Sequence, residues 1–497
     1  MLMRKSYFVI GLFVLLSSCV IFKKKGDVKL ETLPNDAAKK YAATITPDDL
    51  KRHLSILASD EYEGRETAMP GQKKAAKYIE NHFIEIGLEP GVNESSYQQS
   101  FPVVLKDPSK VEVTFGENNL DFLKDFYYLG NLEDTVFNNI EIIELGYGID
   151  DENYSDYKGK DVKGKFIVVK DGIPEDVEVG VSWGSYRNKL TTATEHGALG
   201  MITVQREFKE RVEQIRYFVQ NPKMQLHDKG KQQHIYSIPN LYISDSLWNS
   251  LRENNSRISM NIMTNEIISS ENVLGFLEGT DLKEEIVVIT AHYDHIGYDN
   301  GEICNGADDD GSGTVSLLEI AEAFAMASKD GKGPRRSILF MTVSGEEKGL
   351  LGSEYYSDNP VYQLENTVVD LNIDMIGRKD SLHENDQYVY LIGADRISKD
   401  LHYISEHVNK ELINFELDYT YNMEDDPNHF YYRSDHYNFA KHNIPVIFYF
   451  SGVHEDYHKP TDDVEKILFP KLAKTAQLVF YTAWEIANRT ERLRKNA

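Results

Sequence analysis

Short apolar runs rich in β-branched residues recur through the second half of the chain and predict buried strands. These runs lie at 286–290, 337–344, 368–373 and 444–450. Continuous apolar runs of this length are typical of strands covered on both faces of a mostly parallel sheet. Apolar residues at helical spacing lie between them, as at 314–327. We therefore predict an α/β fold with a mostly parallel or mixed central sheet that is flanked by helices.

Two helices are predicted before the first of these strands. Thr46 and Pro47 are typical of a helix start, and they are followed by leucines at helical spacing. A second segment with helical apolar spacing begins near Gly71 and stops at Gly87, a residue that commonly ends helices. Both helices need an apolar surface to pack against, which the predicted sheet supplies.

The segment from about residue 111 to 268 differs in character, because it consists of short strand-like runs and turns. One such run, at 164–172, is bounded by glycines and reads G-K-F-I-V-V-K-D-G. Apolar sheet residues of the earlier kind resume only at 271–276. We therefore predict that 111–268 is a β-rich domain inserted into a discontinuous domain made of 44–110 and 269–491.

Length and charge restrict the class of protein. A chain of 497 residues is longer than one typical domain, in agreement with the predicted insertion. The net charge of −26 argues against a nucleic-acid partner, because nucleic-acid binding requires a basic surface. The sequence predicts no oligomeric state, although it is compatible with a homodimer.

The N-terminus has the pattern of an export signal. A short basic region precedes an apolar stretch, Tyr7 to Leu16, which is too short to span a bilayer. The stretch ends in L-S-S-C, which looks like a bacterial lipobox and makes Cys19 the expected lipid-attachment residue. We predict a signal peptide at 1–19, a tether at 20–43 and an exported lipoprotein anchored to a membrane, either periplasmic or at the cell surface. With Cys19 lipidated, Cys304 has no cysteine partner for a disulfide.

Metal-ligand candidates follow the predicted strands. In parallel sheets, ligands bind beyond the carboxyl ends of the strands, so these side chains are expected on one rim. Imidazoles and carboxylates are the ligands that zinc accepts, and one catalytic zinc needs only three of them. The candidates are too many for one ion: His292, Asp309, Glu347, Asp374 and His458. Five ligands divide between two ions if one carboxylate bridges, and Asp309 is the expected bridge because its acidic, glycine-rich segment opens a helix.

A pair of adjacent glutamates, Glu346 and Glu347, follows the strand at 337–344. Adjacent side chains at a strand end diverge, so one glutamate can bind metal while the other accepts a proton from water. Asp294, two residues after His292, is expected to orient that imidazole.

Other polar residues near these segments are expected to have roles outside the ligand set. Asp435 and Tyr449 are candidates for a substrate pocket. Four more residues are expected to be buried bystanders, surface residues or outer-shell groups: His295, Cys304, His436 and His454.

The ordered set of motifs resembles the co-catalytic di-zinc aminopeptidase family, of the bacterial leucyl or aminoacyl type. The motifs are A-H-Y-D, N-G-A-D-D-D-G-S-G, G-E-E-K-G-L-L-G-S, N-I-D-M-I-G and H-E-D-Y-H-K-P-T-D-D. Glutamate carboxypeptidase and the transferrin receptor are related to this family. The inserted segment is similar to a protease-associated domain through G-K-F-I-V-V-K-D-G and E-H-G-A-L-G-M-I.

The resemblance implies a role for each matching position. His292 and Asp374 would bind one zinc ion, Glu347 and His458 the other, and Asp309 both. Glu346 would then be the general base, and Asp294 would orient His292. The implied cofactor is two Zn²⁺ per chain, and the implied partner is a peptide with a free N-terminus.

The implied activity is hydrolysis of the N-terminal peptide bond by a metallo-aminopeptidase. Three alternatives remain open at this point: a carboxypeptidase-type exopeptidase that acts on acidic C-termini, a glutaminyl cyclase, and a non-catalytic binding protein. A carboxypeptidase would need several arginines near the site, and only Arg378 and Arg433 are close in sequence. A cyclase would use one zinc ion, whereas a binding protein would not need the intact ligand set.

Overall fold

Helices and strands alternate along the part of the chain that the structure, a computed structural model, describes. This part comprises residues 28–129, 134–220, 222–227, 238–253 and 257–496. The predicted signal peptide, Cys19 and the first residues of the predicted tether lie outside the described residues. None of the helices within the described ranges has the length and apolar character needed to cross a bilayer.

The α-helices of the described residues are α1 Asp36–Ala42, α2 Pro47–Leu57, α3 Pro70–Ile86, α4 Tyr186–Glu195, α5 Phe208–Gln220, α6 Asp245–Leu251, α7 Gly313–Lys329, α8 Leu351–Asp358, α9 Lys399–Val408, α10 His436–Ala440 and α11 Phe469–Asn488. The strands are β1 Glu89–Pro90, β2 Gln98–Lys106, β3 Val111–Phe115, β4 Asn118–Leu120, β5 Phe126–Leu129, β6 Thr135–Glu144, β7 Asp150–Asp151, β8 Tyr154–Ser155, β9 Phe166–Lys170, β10 Gly200–Gln205, β11 Lys223–Leu226, β12 Asn240–Ser244, β13 Arg257–Ile262, β14 Asn265–Leu277, β15 Leu282–His292, β16 Gly297–Asp299, β17 Glu302–Cys304, β18 Arg336–Val343, β19 Thr367–Ile373, β20 Tyr388–Ile392, β21 Glu416–Asp418 and β22 Val446–Phe450.

A mixed sheet forms the centre of the larger part of the molecule. Its strand order is β11-β2-β14-β18-β15-β19-β22-β20-β21, and β1 pairs with β14 at one side. The four middle strands, β18, β15, β19 and β22, pair in parallel, whereas the flanking pairs from β14 outward are antiparallel. The predicted α/β class with a mostly parallel or mixed central sheet is confirmed.

Helices cover both faces of the parallel strands, which explains their uninterrupted apolar sequences. Along β15, Val287 and Ile289 belong to the core beneath α7 and α11, whereas Ile286 and Val288 belong to the core on the opposite face. Each strand therefore buries successive side chains on alternate faces, and no position is left for a solvent-facing polar residue.

The two helices predicted before the sheet are present with the predicted start and stop residues. The Thr46 side chain accepts a hydrogen bond from the backbone N–H of Asp49, and Pro47 is the first residue of α2. Gly87 ends α3 with a φ of 81°, a left-handed conformation that glycine adopts without steric strain.

A second sheet lies within the segment that was predicted to be an insertion. Its eight strands follow the order β4-β3-β13-β6-β9-β10-β12-β5 and run from Val111 to Ile262. The structure departs from the prediction of 111–268 at one boundary and at one strand. Strand β14 of the central sheet already begins at Asn265, and β11, which lies inside the segment, pairs with β2 of the central sheet. The similarity of this segment to a protease-associated domain stays a prediction.

Residues 28–43, which were predicted to belong to the tether, are part of the folded body, so the tether prediction is wrong there. Helix α1 packs on α7 and α11 and buries Ala38, Tyr41 and Ala42. The Glu485 carboxylate accepts hydrogen bonds from the backbone N–H groups of Glu31 and Thr32. With only seven residues, α1 shows too few turns for its apolar period to be recognised from sequence.

A buried ionisable cluster joins α2, α3 and α7 away from the central-sheet rim. Nδ1 of His53 lies 2.6 Å from the Tyr78 hydroxyl, and its Nε2 lies 3.3 Å from Oε1 of Glu319. Burial lowers the pKa of His53 to about 4 and raises the pKa of Glu319 to about 7. His53 is therefore neutral near pH 7, whereas the Glu319 carboxyl is about half protonated there.

The Glu319→Gln variant is expected to reveal this shift as a pH-dependent difference in stability. A carboxyl with a raised pKa in the folded state contributes stability below its ordinary pKa of 4.5 and loses that contribution as pH rises through 7. Relative to Glu319→Gln, the wild type should lose roughly 3 kcal/mol of unfolding free energy between pH 4.5 and pH 7.5. Urea denaturation of both proteins across this range measures the difference, and the exposed Glu85→Gln is the matched control. A difference that stays constant with pH would contradict the raised pKa.

Candidate metal centre

The predicted ligand candidates meet at the carboxyl ends of the four parallel strands. His292 is the last residue of β15, and Asp374 directly follows β19. Glu346 and Glu347 lie in the turn after β18, and His458 lies in the loop after β22. Asp309 lies in an irregular turn, Ala307–Ser312, immediately before α7. The expectation that these side chains share one rim of the sheet thus agrees with the structure.

One group of donor atoms surrounds Nε2 of His292. Oδ1 of Asp309 lies 3.3 Å away, Oδ1 of Asp374 lies 3.6 Å away and Oε2 of Glu346 lies 3.9 Å away. Ligand atoms that share one tetrahedral zinc ion at about 2.0–2.2 Å are roughly 3.3–3.6 Å apart. The distances from His292 to Asp309 and to Asp374 therefore fit ligand atoms that share one ion.

A second group surrounds the other oxygen of the Asp309 carboxylate. Nε2 of His458 lies 3.1 Å from Oδ2 of Asp309 and 3.0 Å from Oε2 of Glu347. Nδ1 of His295 lies 2.8 Å from Oε1 of Glu347 and 3.8 Å from Oδ2 of Asp309. Asp309 thus directs one oxygen to each group, which is the arrangement of a bridging carboxylate.

Unpaired polar atoms support metal binding at both groups. Oδ2 of Asp309, Nε2 of His458 and Nε2 of His295 are buried without a well-directed hydrogen bond among the described residues. Such atoms are rare in folded proteins unless an ion or water completes them. The excess of carboxylates over imidazoles leaves negative charge that divalent cations would neutralise.

The turn that carries Asp309 is fixed by its neighbours. The Asp462 carboxylate accepts hydrogen bonds from the backbone N–H groups of Asp308 and Asp309. The Asp310 carboxylate accepts hydrogen bonds from the backbone N–H groups of His292, Gly313 and Met375. These groups lie at the end of β15, at the start of α7 and after β19. Asp310 therefore joins the backbone segments beside His292, Asp309 and Asp374.

Glycine is required where this turn approaches the second group. Gly306 has a φ of 55°, and a Cβ atom there would lie 2.3 Å from the Asp309 carbonyl and 2.5 Å from the His295 ring. A side chain at this position would displace the bridging residue.

Glu346 and Glu347 have opposite electrostatic environments although they are adjacent. Burial raises the pKa of Glu346 well above its ordinary range, and the charges of Glu347 and Asp374 raise it further. For Glu347, burial and the charge of Asp309 act upward, but the hydrogen bond from His295 and the close approach of the His458 imidazole outweigh them and lower the pKa. Glu347 is therefore the better-stabilised anion, and Glu346 has the greater affinity for a proton.

Asp294 contacts His292 mainly through its backbone. The Asp294 carbonyl oxygen lies 3.2 Å from Nδ1 of His292, whereas the nearest carboxylate oxygen lies 3.8 Å away. The carboxylate accepts hydrogen bonds from the Thr67 hydroxyl and from the backbone N–H of Glu346. Its orienting effect thus extends to Glu346 as well as His292.

Several site residues had no recognisable signal in the sequence. His295 was interpreted as a bystander, yet it lies within the second donor group, fully buried. The Ser434 hydroxyl donates to Oδ2 of Asp374 at 2.6 Å. The buried guanidinium of Arg65 donates to backbone carbonyls of Tyr293, Asn305 and Gly306 and so joins β15 to the Asp309 turn. Arg65 lies in the polar segment D-E-Y-E-G-R-E-T between the two predicted helices, whose pattern does not indicate this role.

Two predictions about the substrate pocket need correction. Tyr449 does not line it, because side chains alternate along β22 and Tyr449 points into the core beneath α11. Phe448 and Phe450, its neighbours, face the pocket instead. Asp435 is completely buried behind the pocket and accepts a hydrogen bond from the Ser353 hydroxyl.

The remaining candidates lie outside both donor groups. His454 lies 3.2 Å from Asp308, and the ring of His436 stacks on Phe448. Cys304 is buried in the short hairpin of β16 and β17.

A pocket opens directly onto the first donor group. His292, Asp309, Glu346 and Asp374 form its floor. Apolar and aromatic side chains form most of its wall: Met375, Phe430, Phe448, Phe450, Val453 and Tyr457, together with Arg433. An apolar ligand group could thus be held beside the carboxylates.

Comparison with known proteins agrees with this geometry. Residues 272–483 match the family model "Peptidase family M28", which confirms the family resemblance indicated by the motifs. Aminopeptidase YwaD of Bacillus subtilis (strain 168) is 27% identical over 250 residues, which are 48% of this chain and 50% of that protein. A probable leucine aminopeptidase of Arthroderma benhamiae is 32% identical over 215 residues, which are 41% of this chain and 55% of that protein. The chain thus matches about half the length of these curated relatives.

The overall fold is shared with a solved structure. The aminopeptidase from Aneurinibacillus sp. strain AM-1 superposes with a TM-score of 0.51 at 20% identity. The match covers 93% of this chain and 98% of that chain. At this identity, the similarity establishes the fold alone.

Proposed function

We propose that the protein is a zinc aminopeptidase that hydrolyses the peptide bond after a free N-terminal residue, on the premise that residues 272–483 match the model of peptidase family M28. The shared Asp309 carboxylate, with one oxygen 3.3 Å from His292 and the other 3.1 Å from His458, is the observation that supports the proposal most strongly. It predicts two adjacent ions, held by His292 with Asp374 and by His458 with Glu347.

Zinc at these positions would supply a water of lowered pKa and would polarise the scissile carbonyl. The residues of the chain provide the proton transfers. Glu346 accepts the proton of the attacking water at its carboxylate, which lies beside the first donor group, 3.9 Å from Nε2 of His292. The same carboxyl then donates the proton to the leaving amine. Asp294 holds the backbone N–H of Glu346, so the base keeps its position during both transfers.

The pocket favours an N-terminal residue over the alternatives. Its carboxylate floor is suited to the positively charged α-amine of a peptide, and its apolar wall is suited to the first side chain. A carboxypeptidase that reads acidic C-termini would need an arginine cluster, but Arg378 is paired with Asp456 at 3.0 Å. Two donor groups rather than one also favour an aminopeptidase over a single-zinc cyclase.

The proposal includes an anchor at the N-terminus. The L-S-S-C sequence that ends at Cys19 supports lipidation and export, which would place the enzyme at a membrane facing extracytoplasmic peptides. If this is correct, Cys19→Ser should shift the protein out of the membrane fraction when cells are fractionated.

The activity is tested with a soluble form that lacks residues 1–19 and has been loaded with zinc. A pool of peptides, half with free and half with acetylated N-termini, is incubated with it, and the products are followed by mass spectrometry. We expect loss of single residues from the free N-termini only, because the acetyl group removes the charged amine.

The other outcomes would each replace the proposal. Trimming of both halves of the pool from the C-terminus would establish a carboxypeptidase. Loss of ammonia or water at N-terminal Gln or Glu would establish a cyclase. Unchanged peptides with two zinc ions bound would favour a binding role.

A further inference from the structure

An arginine at the rim of the pocket has no acidic partner within the described residues. Arg433 lines the pocket together with His292, Glu346 and Asp374. Its side chain is exposed, and no hydrogen bond or ion pair engages its guanidinium in the described part of the chain. In a protein of net charge −26, an arginine that faces a pocket without a carboxylate partner is available for one from a ligand.

Neighbouring residues fix the position of Arg433, although its guanidinium has no acidic partner within the described residues. Cζ of Arg433 lies 4.7 Å from the centre of the Phe430 ring, and its backbone N–H donates to the Phe430 carbonyl. The next residue, Ser434, donates to the metal-ligand candidate Asp374 at 2.6 Å. Stacking on an aromatic face leaves the edge of a guanidinium open for a two-point interaction with a carboxylate.

Two nearby arginines, unlike Arg433, have hydrogen-bond or ion-pair partners for their guanidinium groups. Arg378 is bound to Asp456, and Arg396 donates to the carbonyl oxygens of Asn422 and Met423. Arg396 also stacks on an aromatic ring, that of Tyr431, but it does not line the pocket. The two stacked arginines therefore form a matched pair, one facing the site and one away from it.

From these contacts we infer that Arg433 recognises a carboxylate that the substrate carries next to the scissile bond. This inference rests on the proposed aminopeptidase function and names its substrate class. The carboxylate has two sources within reach of the same rim: the side chain of an N-terminal Asp or Glu, or the C-terminus of a dipeptide.

The test compares substrates that differ only in this carboxylate. The first pair has N-terminal Glu or Gln in the same amidated peptide, and the second pair is Leu-Gly or Leu-Gly amide. The ratio of kcat/KM within each pair is measured for the zinc-loaded wild type, Arg433→Met, Arg433→Lys and Arg396→Met.

We expect the wild type to prefer the carboxylate member of one pair by about 10- to 100-fold, the range for a hydrogen bond to a charged group. Arg433→Met should bring that ratio close to one, and Arg433→Lys should lie between them because lysine lacks the planar fork. Arg396→Met should keep the wild-type ratio. The pair that shows the preference identifies the source of the carboxylate.

Two results would overturn the inference: a wild-type ratio near one for both pairs, or a preference that Arg433→Met retains. Either result would leave aminopeptidase turnover of Leu peptides intact, so it differs from failure of the proposed function, in which none of these peptides is cleaved. If none of these peptides is cleaved, calorimetric measurement of the binding of Leu-Gly and Leu-Gly amide to the same variants still tests the role of Arg433. A preference for Leu-Gly that depends on Arg433 would support it, and equal binding would refute it.

Discussion

Replacing Glu346 with glutamine is expected to lower kcat by about 10²- to 10⁴-fold, the range that general acid–base catalysis contributes, while metal binding is retained. Glutamine has the same shape but cannot accept and return the proton. The expected effect is on kcat rather than KM, because the carboxylate acts on the reacting water and the leaving amine. Steady-state kinetics on a Leu peptide and metal analysis of the same sample measure both quantities.

The matched control is Glu354→Gln, a change on α8 outside both donor groups. It should leave kcat and the zinc content unchanged. If Glu346→Gln instead loses one zinc ion, Glu346 is a ligand, as its 3.9 Å distance from Nε2 of His292 would allow. A variant with wild-type kcat would show that another group accepts the proton.

The residues at the rim of the sheet could be predicted from the sequence, because the order of the parallel strands does not change which residues lie at their carboxyl ends. Any arrangement of parallel strands places residues such as His292 and Asp374 at the same edge. The donor candidates could therefore be grouped before the pairing of β15 with β18 and β19 was known. The number of donor candidates, which is too large for one ion, added the expectation that they divide between two ions.

The contacts that join distant segments could not be predicted in this way. His295 belongs to the second donor group because Gly306 and the Asp309 turn pass close to its ring, a contact between loops that no periodicity encodes. Tyr449 was misassigned because an uninterrupted apolar strand does not show which face its residues occupy. In β22, the packing of α11 on one face of the sheet determines that Tyr449 points into the core.

The hydrogen bonds that Asp310 accepts could not be predicted from the sequence either. Asp310 follows the bridging residue in a run of three aspartates, and its role is visible only when the backbones of His292 and Met375 are seen to converge on it. Buried carboxylates that tie backbones together have the same sequence appearance as metal ligands, and only geometry separates them.

Asp309→Ala is expected to reduce the zinc content from about two ions per chain to less than one and to abolish turnover. The carboxylate is the one described side chain with an oxygen in each donor group, so its removal takes a ligand from both ions at once. Asp374→Ala is the matched comparison, because Asp374 belongs to the first group alone and should leave about one ion bound. Metal analysis after dialysis against zinc-free buffer gives the two contents.

Thermal unfolding separates loss of metal from loss of fold. A ligand that binds only the folded state raises the midpoint of unfolding as its concentration increases, so added zinc should stabilise the wild type most, Asp374→Ala less and Asp309→Ala least. If Asp309→Ala retains two zinc ions, or if it loses no more zinc than Asp374→Ala, the carboxylate does not bridge. The two donor groups would then bind their ions independently.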